Sequence, residues 1–136
     1  GHSFPTGVTD IREAWVELDA LDANKKVLAA YGGPDPTTGI LPASAARLGI
    51  DIASADGTVL LDHQLSETTR ITFDQRVPAK GSLTVTVTPG SPLPAGATQL
   101  VASLYYRNLR TTYYQAATGS KTGATPSILV NQVAVP

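Results

Sequence analysis

The chain has 136 residues, 10 basic and 11 acidic side chains, and neither cysteine nor methionine. The missing cysteine excludes disulfides, thiolate metal sites and thiol nucleophiles. A net charge of −1 gives no footprint for nucleic acid or for a polybasic membrane anchor, and no apolar run nears the ~20 residues of a membrane helix.

The length suits one domain. Such a domain buries roughly two-thirds of its unfolded surface, enough for a core without covalent staples. A sequence that opens at Gly1 without methionine reads as a processed product or as part of a longer polypeptide. No targeting segment is visible. Charged residues make up only 15%, while Thr, Ser, Gly, Pro and Val abound, a balance commoner in exported β proteins than in cytosolic helical ones.

Residues 11–20 alternate with period two. Ala14, Val16, Leu18 and Ala20 share one side, and Glu13, Trp15, Glu17 and Asp19 the other, which predicts a strand with one wet face. Asp22 to Lys25 is a turn by composition, and 27–31 returns as the second arm of a hairpin. Residues 32–42, rich in Gly and Pro, form a loop, and 43–47 suit one helical turn.

Leu48, Ile50 and Ile52 begin another alternating strand. Asp56-Gly57 is the favoured pair for a tight hairpin turn, and 59–63 continues beyond it. Residues 70–77 alternate again. Residues 82–88 give the cleanest pattern, with Leu83, Val85 and Val87 opposite three threonines. A Pro/Gly loop at 89–96 precedes strands at 99–107 and 128–135. The stretch 110–127 reads as an excursion, polar and loop-like from 117. The sum is about eight short strands with almost no helix, an all-β antiparallel β-sandwich of immunoglobulin-like or fibronectin-like type. Residues 1–10 form a lead-in linker, and 11–136 form the sandwich domain.

Chemistry-bearing residues are few. His2 and His63 are the only histidines, and nothing in their spacing completes a zinc site. No nucleophile elbow, phosphate loop or dinucleotide fingerprint is present, so the chain is not expected to be an enzyme. Asp22-x-Asn24 begins like a calcium loop but lacks the acids and distal glutamate that should follow. His63, in phase with Val59 and Leu61, reads either as a hydrogen-bonded structural residue or as a ligand. Trp15 reads either as a residue packed under a loop or as a platform for a sugar or partner. Adjacent strand residues face opposite ways, so the pairs Tyr105-Tyr106 and Tyr113-Tyr114 should each split into one core and one surface tyrosine. Trp15, Tyr105 and Tyr113 are the candidate binding surface.

The run His2-Ser3-Phe4-Pro5-Thr6-Gly7 resembles a motif of bacterial multihaem c-type cytochromes, where it opens a C-terminal β-rich domain. Arg12-Glu13-Ala14-Trp15, Leu61-Asp62-His63-Gln64 and Leu104-Tyr105-Tyr106-Arg107 resemble further segments of that family, in the same order. The resemblance implies a non-catalytic domain that donates an axial histidine to haem iron, with His2 the first candidate and His63 the second. Bis-histidine ligation suits electron transfer because it leaves no open position. It also implies haem c as cofactor and an exported location, periplasmic or at the cell surface. The haem would be held by cysteines outside these residues, because no Cys-x-x-Cys-His is present. Implied partners are a haem-bearing polypeptide, upstream or in another chain, and further copies of the domain, extending to a filament. A secreted adhesion or carbohydrate-binding module is the second reading, resting on Trp15 and the tyrosines.

Overall fold

A computed structural model describes residues 1–61, 63–89 and 92–135. Four positions lie outside the described residues: Asp62 of the Leu61–Gln64 motif, Gly90 and Ser91 of the expected 89–96 loop, and Pro136 at the expected domain end. Six strands form: β1 (Glu13–Leu21), β2 (Val27–Tyr31), β3 (Ala46–Ala53), β4 (Arg70–Gln75), β5 (Gln99–Arg107) and β6 (Ile128–Val135). One helix, α1 (Thr111–Thr118), and a 3₁₀ turn at Leu65–Glu67 complete the regular elements. Every pairing between strands is antiparallel. The fold is all-β, antiparallel and sandwich-like.

β1 is the central strand. One edge pairs with β5 along its whole length, from Glu13↔Arg107 to Leu21↔Gln99. The other edge is shared, Ala14–Val16 taking β3 and Leu18–Leu21 taking β2. β3 then leaves β1, and its second half, Gly49 to Ala53, pairs with β4. A strand that changes partners in mid-course turns the corner between the layers of a sandwich. Gly49 stands at that change with φ +156°, where a side chain would be strained. Ile50, Ile52 and Leu60 form a buried cluster on this corner.

Three expectations require correction. Six strands form among the described residues rather than eight. Among the described residues of 59–63, Val59 makes a single bridge with Ala53 before the 3₁₀ turn. Residues 82–88 make no ladder; Val85 and Val87 are half-buried and the three threonines exposed, but Leu83, expected on the inner side with the valines, is exposed as well. Period two reports which side faces inward, whereas a ladder also needs a neighbour in register.

The excursion at 110–127 contains α1, which ends at Gly119 in the left-handed region with its N–H bonded to Gln115 O. The helical turn at 43–47 is a turn closed by Ala45 N–H on Pro42 O, and Ala46 and Arg47 already belong to β3. The wet face of β1 is also only partly wet. Glu13 and Trp15 are 3% and 2% exposed, while Glu17 and Asp19 are half-buried. Arg107 and the 39–42 loop cover the strand's first half, where Arg107 Nη1 donates to Gly39 O at 2.9 Å.

Candidate functional site: the His63–Asp10 pair and a buried arginine cluster

The N-terminal segment is tied down residue by residue. Phe4 and Val77 exchange two backbone hydrogen bonds of 2.9 and 2.8 Å, and Pro5 is fully buried. The Phe4 ring lies 5.9 Å from Tyr106. Arg12 Nη1 donates to Thr6 O at 2.7 Å, closing the loop through Gly7, and Arg110 N–H donates to Ile11 O at 2.7 Å. Asp10 is thereby held at the base of β1, with its side chain 10% exposed.

His63 meets it from the far side of the sequence. The Nδ1 of His63 lies 2.6 Å from Asp10 Oδ2. His63 itself sits in the left-handed region, φ +58°, an unusual backbone state for a residue other than glycine. Its carbonyl accepts from Leu65 N–H at 2.8 Å, at the start of the 3₁₀ turn. A carboxylate on Nδ1 selects the tautomer protonated there and leaves the Nε2 lone pair outward. The side chain is 36% exposed, and no hydrogen bond to Nε2 is made among the described residues. An imidazole oriented in this way can coordinate a metal through Nε2. Among the described residues no group of three or more His, Cys, Asp or Glu could enclose a metal ion, so such a ligand would complete a centre built elsewhere.

Arg110 joins this pair to a buried charge cluster. Its Nη1 donates to Asp10 O at 3.2 Å, Ile50 O at 3.3 Å and Asp51 Oδ1 at 2.7 Å. Arg47 grips the same Asp51 carboxylate through both terminal nitrogens and lies over the Phe73 ring at 4.1 Å. Burial pushes the Asp51 carboxyl up. The Arg47 hydrogen bonds and the charges of Arg110 and Arg47 outweigh it and hold the carboxyl below its ordinary value. Deeper in, Arg107 Nε donates to Glu13 Oε1 at 2.7 Å, and its Nη1 donates to Thr111 Oγ1 at 2.7 Å. Thr125 continues the chain, donating to Leu109 O at 2.6 Å. The cluster therefore fastens β1, β3, β5, α1 and the loop before β6 to one another.

The remaining sequence candidates fall elsewhere. His2 is exposed and makes no hydrogen bond or ion pair among the described residues. Trp15 stacks on Tyr105, with ring centroids 5.5 Å apart and planes 18° from parallel, and the Arg107 guanidinium lies 5.1 Å from its ring. Buried between such neighbours, the indole offers no open face to a sugar. Tyr105 is half-buried and belongs to that stack. Tyr113 and Tyr114 lie on α1 rather than on a strand, so the alternation expected of them does not apply. Asp22 Oδ1 accepts from the N–H groups of Asn24 and Lys26 and so closes the β1–β2 hairpin rather than a calcium loop. Sequence reasoning missed Asp10 and the whole arginine cluster. Its one available signal was the pair Arg107 and Arg110 facing Glu13 in a chain with few charges.

The chain is similar to the solved structure of a penta-haem cytochrome c552 from Thermochromatium tepidum, with a TM-score of 0.66 and 19% identity. The match covers 99% of this chain and 32% of that one, so the chain spans about a third of the cytochrome's length. At this identity the likeness shows a shared fold. No family model and no curated protein matches the chain.

Proposed function

We propose that the chain is a non-catalytic β-sandwich domain of a multihaem electron-transfer cytochrome, exported from the cytoplasm, which donates an axial histidine to a haem held by another stretch of polypeptide. The observation that carries the reading is the His63–Asp10 pair, found within a fold that nearly all of the chain shares with part of a penta-haem cytochrome. A neutral imidazole with Nδ1–H on a carboxylate is a stronger and better oriented iron ligand through Nε2. The chain contributes no attachment cysteine, so the haem c itself belongs to its partner or to an upstream segment. His63 is the ligand with an ordered support. His2, exposed and unsupported, is the second candidate, and the docked Phe4-Pro5 segment limits where it can reach.

The sheet edge supports a packing role. Among the described residues β6 pairs only with β5; it carries no charged residue and leaves Ile128, Leu129, Val130 and Val133 at least 48% exposed. Such a strand invites cover by the haem-bearing polypeptide or by another copy.

The test uses the natively purified polypeptide. Its intact mass and visible spectrum should show covalent haem travelling with this sequence, and His63→Ala should convert one low-spin haem to a high-spin form. Haem-free native material would sink the reading. An unchanged low-spin spectrum in both His63→Ala and His2→Ala would remove the ligand assignment while leaving the domain assignment standing.

A further inference from the structure

Two strand-forming elements of this chain lack a partner, and they stand on opposite sides of one sheet. Residues 82–88 carry the cleanest strand pattern in the sequence and no charged residue. Among the described residues their main chain makes no hydrogen bond to other backbone. The segment leads along the outer side of β2. A side chain at Gly32, just past β2, would meet Val87 Cγ1 at 3.3 Å, and one at Gly96 would meet Leu28 Cδ1 of β2 at 4.0 Å.

β6 is the second element. Asn131 to Val135 pair with β5 without a register shift and, among the described residues, leave their other edge open. Gln132 N–H takes the adjacent Asn131 Oδ1 at 2.9 Å as its acceptor, a side chain standing in for a strand. β6 holds neither a charge nor a proline, the common guards of a sheet edge. In this half of the sheet the order is β2-β1-β5-β6, so about 14 Å of sheet separates β2 from β6. One molecule therefore cannot close 82–88 onto its own β6, whereas a second copy can.

We propose that segment 82–88 of one copy adds as a strand to β6 of the next, joining copies head to tail through a continued sheet. What covers β6 must be extended, uncharged and in need of main-chain partners, and 82–88 has each property. Its valines and threonines suit a pleated surface. The contact is heterologous, each copy offering one surface and accepting another, so assembly continues past the dimer. It does not depend on any haem.

The intact polypeptide carrying this sequence is followed by sedimentation velocity over a concentration series. Its mass should rise with concentration beyond that of a dimer. Val133→Lys puts a charge on the open edge, and Thr86→Pro removes a main-chain donor from 82–88; each should weaken association at least about tenfold. Thr86 is exposed and its main chain is unbonded among the described residues, so the fold should stand. Val130→Lys replaces Val133→Lys if that variant fails to fold. A mixture decides the arrangement. Val133→Lys keeps a sound 82–88 and Thr86→Pro a sound β6, so together they should form a heterodimer and stop there. A dimer that survives Thr86→Pro but not Val133→Lys would mean that β6 pairs with itself, and would overturn the proposal. A monomer at every concentration, association untouched by either substitution, or no heterodimer in the mixture would overturn it as well.

Discussion

Glu13 and Arg107 sit directly opposite each other on the β1–β5 ladder, and both are almost wholly buried, at 3% and 2% exposure. Arg107 Nε and Nη2 both lie within 2.7 Å of Glu13 Oε1. Their distance in sequence is large, so the pair locks the two longest strands in one register. A buried pair of this kind contributes little net attraction once desolvation is counted, but breaking it strands a charge. Glu13→Gln should therefore lower the unfolding free energy by about 3 to 5 kcal/mol. Glu13→Leu with Arg107→Met should recover part of that loss. The recovery stays incomplete because Gly39 O and Thr111 Oγ1 lose their donor. Urea unfolding of the three variants measures both effects, and a loss under about 1 kcal/mol in Glu13→Gln would mean that water reaches the pair.

Further along β1 the same strand face carries Glu17 and Asp19, neither in an ion pair among the described residues. Burial, and then the neighbouring Asp19 charge, push the Glu17 carboxyl above its ordinary 4.5, against a smaller pull from the Trp15 indole. Burial likewise pushes Asp19 above 3.8. A raised folded-state value means that the folded form binds the proton more readily than the unfolded one. The stability from these groups is fully present below the unfolded values and is lost as pH rises through the folded ones. Asp51 acts in the opposite sense, since its lowered value gives stability above 3.8 that is lost as pH falls. Glu17→Gln should thus be more stable than the parent at neutral pH, with the difference shrinking to nothing as pH drops below 4.5. Thermal melts across that range decide it, and a constant difference at all pH values would assign the effect to packing.

The corner of the sandwich rests on one residue without a side chain. Gly49 holds φ +156°, and a Cβ there would lie 3.3 Å from Arg12 O. Gly49→Ala should cost about 1 to 3 kcal/mol by strain at this position. The loss should be localised, so hydrogen exchange should rise first in β3 and β4, whose pairing begins at Gly49↔Gln75. Uniform acceleration over β5 and β6 would argue that the corner is not a separate weak point.

The alternation at 11–20, 48–52 and 70–77 made β1, β3 and β4 readable from the sequence. The same signal misled at 82–88, where Val85 and Val87 turn inward but Leu83 does not, and the backbone finds no ladder. The alternation alone put Trp15 on the solvent side, whereas the Tyr105 ring and the Arg107 guanidinium lie against it and it is buried. Helix α1 was hidden because Thr-Thr-Tyr-Tyr is a poor helical start, and its ends are fixed by Arg107, Arg110 and Gly119 rather than by propensity. The functional pair was half legible. His63 stood out as one of two histidines, but Asp10, 53 positions earlier, had no pattern to mark it.

That pair makes the most direct prediction. With Asp10 Oδ2 at 2.6 Å from Nδ1, the neutral His63 ring should carry its proton on Nδ1. Free imidazole side chains prefer the other nitrogen, so the tautomer is a readout of the carboxylate and not of histidine itself. Long-range ¹H–¹⁵N correlation spectra should show the Nδ1–H form in the parent chain and a shift toward Nε2–H in Asp10→Ala. The Asp10 main-chain oxygen remains available to Arg110 in that variant, so the charge cluster and the fold should persist. Zinc or ruthenium reagents that coordinate accessible imidazole should then bind Nε2 of the parent more tightly than that of Asp10→Ala, by roughly 10-fold or more if the carboxylate supports a ligand in the usual way. Equal affinities would reduce the 2.6 Å contact to a surface ion pair that holds residues 1–12 against the sandwich.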